Sequence, residues 1–111
     1  MFESSDNQAD LRLKPLRVPR LKDGIFSEAV DLVEALPGWS LVSKDEAKGV
    51  IECTRKARLL GAQARVTISF EAPEGVPSTT VKMRSESKGG LLNHDKQNVL
   101  EFMEKLRQRV V

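Results

Sequence analysis

Residues 79–98 read TTVKMRSESKGGLLNHDKQN. Over Thr79–Ser87 the side chains alternate, with Val81, Met83 and Ser85 on one face and Thr80, Lys82, Arg84 and Glu86 on the other. A period of two is the geometry of a β-strand, so this segment predicts a strand with one buried and one polar face. Lys88-Gly89-Gly90 then breaks the pattern. Beyond it, Val99, Phe102, Met103, Leu106 and Val110 fall on one stripe at helical spacing. Asn93 and Asp95 are both competent N-caps for this helix, and Lys105, Arg107 and Arg109 stand where its dipole favours positive charge. A one-sided strand followed by a one-sided helix sets the fold class, because each apolar face needs the other to cover it.

The same logic extends upstream. Ala64–Glu71 alternates Val66, Ile68 and Phe70 with Arg65, Thr67, Ser69 and Glu71, and residues 72–78, with Pro73, Gly75 and Pro77, read as a turn. Val50–Arg55 places Ile51 and Cys53 on one face and Glu52 and Thr54 on the other. Trp39–Ser43, with Trp39 and Leu41 sharing a face, precedes it across a Lys44–Gly49 hairpin loop. Residues 55–63 read either as a bulged turn or as a wide loop. Phe26, Ala29, Val30, Val33 and Leu36 describe an amphipathic helix over Phe26–Leu36, with Glu28, Asp31 and Glu34 on the solvent side and Pro37-Gly38 as its stop. At residues 11–14 alternation predicts a short strand, which Pro15 and Pro19 confine to a sheet edge or a covering strap.

Residues 1–9 are polar and patternless and are expected to be a disordered leader, leaving residues 10–111 as a single α+β domain. The predicted order is (β)αββββα. It makes a two-layer sandwich in which a four-stranded antiparallel sheet carries two helices on one face and leaves the other face open and polar.

Composition narrows the function classes. A chain of 111 residues with 40% hydrophobic and 31% charged content belongs with globular domains and can bury a core without metal or disulfide support. Its net charge of +2 is too small for a dedicated nucleic-acid binder. The aromatics of the sheet point to its buried face, which argues against a base-stacking surface on Arg65, Lys82 and Arg84. The basic stretch at 12–22 could serve as a phosphate-binding or anionic-membrane arm, but it lacks interleaved aromatics and reads rather as a solvated edge whose charges deter strand pairing. The lone Cys53 fits a reducing compartment and sits at a core position, where a thiol is a small apolar residue. With no signal-peptide pattern and no apolar run long enough to span a membrane, a cytoplasmic protein is expected.

Sharp catalytic motifs are absent: no HExxH, Walker loop, GxSxG, CxxC or dinucleotide fingerprint occurs, and no cofactor is expected. One His and one Cys cannot build a His- or Cys-rich metal site. His94, beside Asp95 in a helix-start loop, is the only side chain that titrates near neutrality, but no nucleophile is spaced to use it.

What remains is the end of the opening strand. Arg84 and Lys88 supply charge, Ser85 and Ser87 supply hydroxyls, and Gly89-Gly90 lets backbone amides approach a ligand near a helix N-terminus, a combination suited to an anionic group. The competing reading is a tight strand-to-helix turn in which Arg84 pairs with a neighbouring carboxylate such as Glu71.

Four segments carry a family resemblance: LKPL at 13–16, LPGWSLVSKDEAKGVIECT at 36–54, ARVTISF at 64–70 and VKMRSESKGG at 81–90. Together they resemble an uncharacterised bacterial family, domain of unknown function 1499, over most of residues 13–106. The family's Arg-Ser-x-Ser-Arg-x-Gly segment matches Arg84, Ser85, Ser87, Lys88 (in place of Arg) and Gly90. Its helix asparagine matches Asn98 if one residue is inserted, and Gln97 otherwise. Paired acids before the third strand are replaced by Ala64 and Arg65, and an Asp-x-Gly by Asn93-His94-Asp95. The resemblance implies the architecture and the importance of the Arg84 segment, and it transfers no activity.

These readings lead to a small non-catalytic binding or interaction module, with a small anionic ligand or a protein as partner. Two alternatives stand beside it: a structural or self-associating subunit using the open sheet face, with homo-oligomers as the product, and an enzyme using His94, Asp95 and Arg84.

Overall fold

The alternation of the strands and the stripes of the helices are realised together in a computed structural model, which describes residues 2–5, 7, 13–56, 63–72, 77–87 and 95–110. Among the described residues the order is β1 (Phe2–Glu3), β2 (Leu16–Val18), α1 (Lys22–Ala35), β3 (Trp39–Asp45), β4 (Val50–Lys56), β5 (Gln63–Glu71), β6 (Thr79–Ser87) and α2 (Asp95–Val110). Strands β3 to β6 form the antiparallel meander expected from the sequence. The sheet is nevertheless larger than four strands, since β1 and β2 both add to the outer edge of β6.

The two extra strands lie end to end along that edge. Leu16–Val18 pairs with Thr79–Val81, and Phe2–Glu3 pairs with Arg84–Ser85. With two and three residues, they are too short to display an alternation, which is why the sequence reading counts four strands. The strand expected at 11–14 is displaced: residues 11 and 12 lie outside the described residues, Leu13 and Lys14 are in a turn, and pairing begins only after Pro15. A strand boxed by Pro15 and Pro19 is tolerable there because an edge strand uses only one side of its backbone. Phe2 falls inside the stretch read as a disordered leader, yet it packs against the core.

The inward side chains of β4, β5 and β6 join those of both helices in one apolar cluster, so α1 and α2 cover the same face of the sheet. Ile25, Phe26, Ala29, Leu32 and Val33 face inward from α1, and Val99, Phe102, Met103, Leu106 and Val110 from α2. Helix α1 starts a turn earlier than the sequence suggests because Ile25 extends the buried stripe toward Lys22. It stops as expected: the Leu36 N–H caps Leu32 O at 2.9 Å, and Gly38 takes φ of 84°, a left-handed turn closed to most residues.

Register then places the polar groups. Trp39 lies opposite Arg55, Arg55 opposite Ala64, and Ala64 opposite Ser87, so four residues form one row across the covered face at its end. At the far edge of the sheet, β3 carries a bulge between Leu41 and Ser43 that leaves Val42 60% exposed. A bulge next to Lys44 makes this edge a poor template for further strand pairing.

Candidate functional site

Because β6 alternates, Ser85 and Ser87 point under α2 while Arg84 and Glu86 point to the open face. Ser85 is fully buried, a position where an unpartnered hydroxyl would be costly. Its partner is Asp95, at the start of α2 and itself buried: Ser85 Oγ donates to Asp95 Oδ1 at 2.8 Å, and Ser87 Oγ donates to Oδ2 at 3.1 Å. One turn along α2, Asn98 Nδ2 donates to Ser85 Oγ at 3.2 Å. Each oxygen of the carboxylate thus accepts a hydroxyl, and the Ser85 hydroxyl both gives and receives. A carboxylate in the first turn also lies at the favourable pole of the helix dipole. The network ties the end of β6 to the beginning of α2 and fixes both ends of the segment between them.

The structure does not bring the whole expected cradle together. Arg84 lies on the opposite face, with Nε 3.4 Å from Glu3 Oε1 and an ion pair from Nη2 to Glu86. Its expected partner Glu71 instead holds Lys82, with Nζ and Oε2 3.2 Å apart. Lys88, Gly89 and Gly90 lie outside the described residues, as do Asn93 and His94. Of the enzyme alternative's residues, Arg84 and Asp95 are separated by the sheet. Between the two candidates for the helix asparagine, Gln97 is exposed and Asn98 is the one in contact with Ser85.

A second polar cluster sits farther along the same end of the sheet. The Trp39 indole N–H donates to Glu101 Oε1 at 2.6 Å, Arg55 Nε lies 3.3 Å from the same oxygen, and the guanidinium carbon is 5.9 Å from the centroid of the Trp39 ring. Arg55 Nη1 donates to the Lys56 carbonyl at 3.1 Å. Trp39 packs in turn on Phe102, with ring centroids 5.4 Å apart. No motif in the sequence marks this group. Its one available signal was parity, since Arg55 continues the inward face of Ile51 and Cys53.

Elsewhere among the described residues the covered face of the sheet is apolar apart from Thr79, whose hydroxyl donates to the Arg20 carbonyl at 2.8 Å. Burial pushes the Cys53 thiol up to about 12, so the thiolate needed for nucleophilic chemistry is scarce at neutral pH. Among the described residues no three His, Cys, Asp or Glu side chains are grouped to hold a metal, and no helix is long and apolar enough to cross a membrane.

A family model described as Protein of unknown function (DUF1499) matches residues 1–110. No curated protein matches the chain. Among solved structures, it is similar to the one titled "Crystal structure of Ara h 8.0201", at 13% identity and a TM-score of 0.38, over 87% of this chain and 94% of that one.

Proposed function

We propose, from the premise that the chain belongs to the DUF1499 family, that it is a non-catalytic binding module whose ligand is met where β6 passes into α2, along residues 84–90. The observation that supports this reading is the network of Ser85, Ser87, Asp95 and Asn98. Four polar side chains in the covered layer cost stability unless all are satisfied, and an apolar junction would close the same fold without that demand. Their arrangement holds the strand end and the helix start rigidly. A segment anchored at both ends is the frame on which a binding loop gains affinity, because little ordering remains to be done when the ligand arrives.

An anionic group is the ligand chemistry that Lys88 and the amides of Gly89-Gly90 would recognise beside a helix start. Ser85 is excluded from that contact, since its hydroxyl is spent on Asp95 and accepts from Asn98. Arg84, on the open face and paired with Glu3 and Glu86, stands outside that contact.

A thermal-shift screen of the full chain against inorganic phosphate, nucleotides and dicarboxylates tests the reading, with Lys88→Met as the comparison. A ligand that raises the midpoint of wild type and fails to do so for Lys88→Met supports it. Equal shifts in the two proteins, or none in either, would sink it.

A further inference from the structure

Arg55 on β4 reaches Glu101 on α2 and so ties the helix to the sheet. Its guanidinium is held on several sides: the Trp39 ring stands 5.9 Å from its central carbon, Lys56 O takes Nη1, and Gly38 lies so close that a Cβ on it would overlap Nη1. Its Nε is less well served. Nε is buried and makes no hydrogen bond among the described residues. Glu101 Oε1, 3.3 Å away, accepts from the Trp39 indole and does not align with the Nε–H. The side chain is 19% exposed, so part of it still reaches solvent. A planar guanidinium carries five N–H donors in a fixed fork, and leaving one buried and unused is costly unless something else takes it.

We infer that Arg55, lying over the Trp39 ring and held beside Glu101, is an oxyanion-binding site that receives the carboxylate or phosphate group of the ligand. Glu101 acts as the resident carboxylate that the incoming anion competes with. A fork of this kind matches two oxygens of a carboxylate or phosphate at once, which a lysine ammonium does not. The register puts Arg55 in the same row as Ser87, two strands away, or about 10 Å across the sheet. The inference goes beyond the proposed function: it keeps an anionic ligand at this end of the sheet and assigns the anion to Arg55 in place of Lys88 and Gly89-Gly90.

Trp39 is the only tryptophan in the chain, so its fluorescence reports on the site directly. The experiment titrates inorganic phosphate and acetate, separately and against chloride at matched ionic strength, into the full-length protein and four variants: Glu101→Gln, Arg55→Lys, Arg55→Gln and Lys88→Met. Glu101→Gln keeps an acceptor for the indole and removes the competing charge. It is expected to bind at least one of the two anions about tenfold more tightly than wild type. Arg55→Lys is expected to lose about tenfold through loss of the fork, and Arg55→Gln to show no saturable response.

Circular dichroism checks that each variant is folded, and Trp39 emission in the Glu101→Gln protein supplies a readout free of any Arg55 substitution. The inference is overturned if Glu101→Gln binds both anions no better than wild type, or if Arg55→Gln still saturates. Anion binding that Arg55→Gln preserves and Lys88→Met abolishes overturns the inference and leaves the turn at 84–90 as the site. Loss in the Arg55 variants together with wild-type binding in Lys88→Met supports the inference and moves the ligand away from that turn.

Discussion

Ser85 on β6 and Asp95 on α2 share a 2.8 Å hydrogen bond in which the serine hydroxyl donates to Oδ1, and both side chains are buried. Since the same hydroxyl accepts from Asn98, one atom joins strand, helix start and helix second turn. Ser85→Ala removes a donor from a buried carboxylate and strands the Asn98 amide, and is expected to cost about 1–3 kcal/mol in urea denaturation. Ser85→Ala and Asn98→Ala combined should cost less than the sum of the two, by more than about 0.5 kcal/mol, because they delete a shared bond. Strict additivity would show that the network is a coincidence of packing.

The link between Gly38 and Arg55 carries a second expectation. Gly38 has φ of 84°, and a side chain there would collide with the Arg55 guanidinium. Gly38→Ala should therefore lose about 1–3 kcal/mol, from backbone strain plus displacement of the arginine. Introducing Arg55→Ala into the Gly38→Ala protein separates the two causes: the extra cost of the alanine at 38 should shrink toward the strain alone. The same cost in both backgrounds would mean that Arg55 yields freely.

These relationships mark how far the sequence is legible. The strand at Thr79–Ser87 and the buried stripe of α2 are readable residue by residue, because parity and helical spacing are local properties of the chain. Parity also puts Ser85 on the core side and Arg84 opposite it, so the division of the cradle is implicit in the alternation itself. What locality cannot supply is partnership. Asp95 reads as a cap or an acid until the fold sets it beside Ser85, and the Trp39–Glu101 bond spans 62 residues of sequence. Strands as short as β1 and β2 owe their existence to the edge of β6 rather than to a pattern of their own.

Cys53 yields a prediction in pH. Burial raises its pKa from 9.0 to about 12, so the folded protein holds the proton over a range where the unfolded chain releases it. The sign follows: the stability linked to this group is whole below pH 9.0 and is lost as pH rises toward about 12. The loss runs at up to about 1.4 kcal/mol per pH unit. Denaturation of wild type and Cys53→Ala at pH 8, 9, 10 and 11 should show wild type losing more stability over the upper part of that range. At pH 8 the native thiol should resist an aromatic disulfide reagent that labels the unfolded chain at once. Rapid labelling of native protein would contradict a sealed core position.

The N-terminal strand offers the test of how the sheet's outer edge is kept closed. The Ser4 N–H donates to Met83 O and the Met83 N–H donates to Ser4 Oγ, both at 2.9 Å, while Phe2 lies opposite Ser85 and packs on the core. Glu3 meanwhile reaches Arg84 on the other face. Removing residues 1–5 should therefore free the Met83 amide, uncover the edge of β6 beside the Ser85–Asp95 network, and leave the central pairing of β4 with β5 intact. Hydrogen exchange should show Met83 accelerated by about tenfold or more, with Ile68 in the middle of the sheet slowed as before. An uncovered edge is also a template for pairing with a second chain, so the truncated protein should associate at concentrations where the full chain does not. Unchanged protection at Met83 would mean that β1 is an ornament on β6, with the edge guarded by β2 alone.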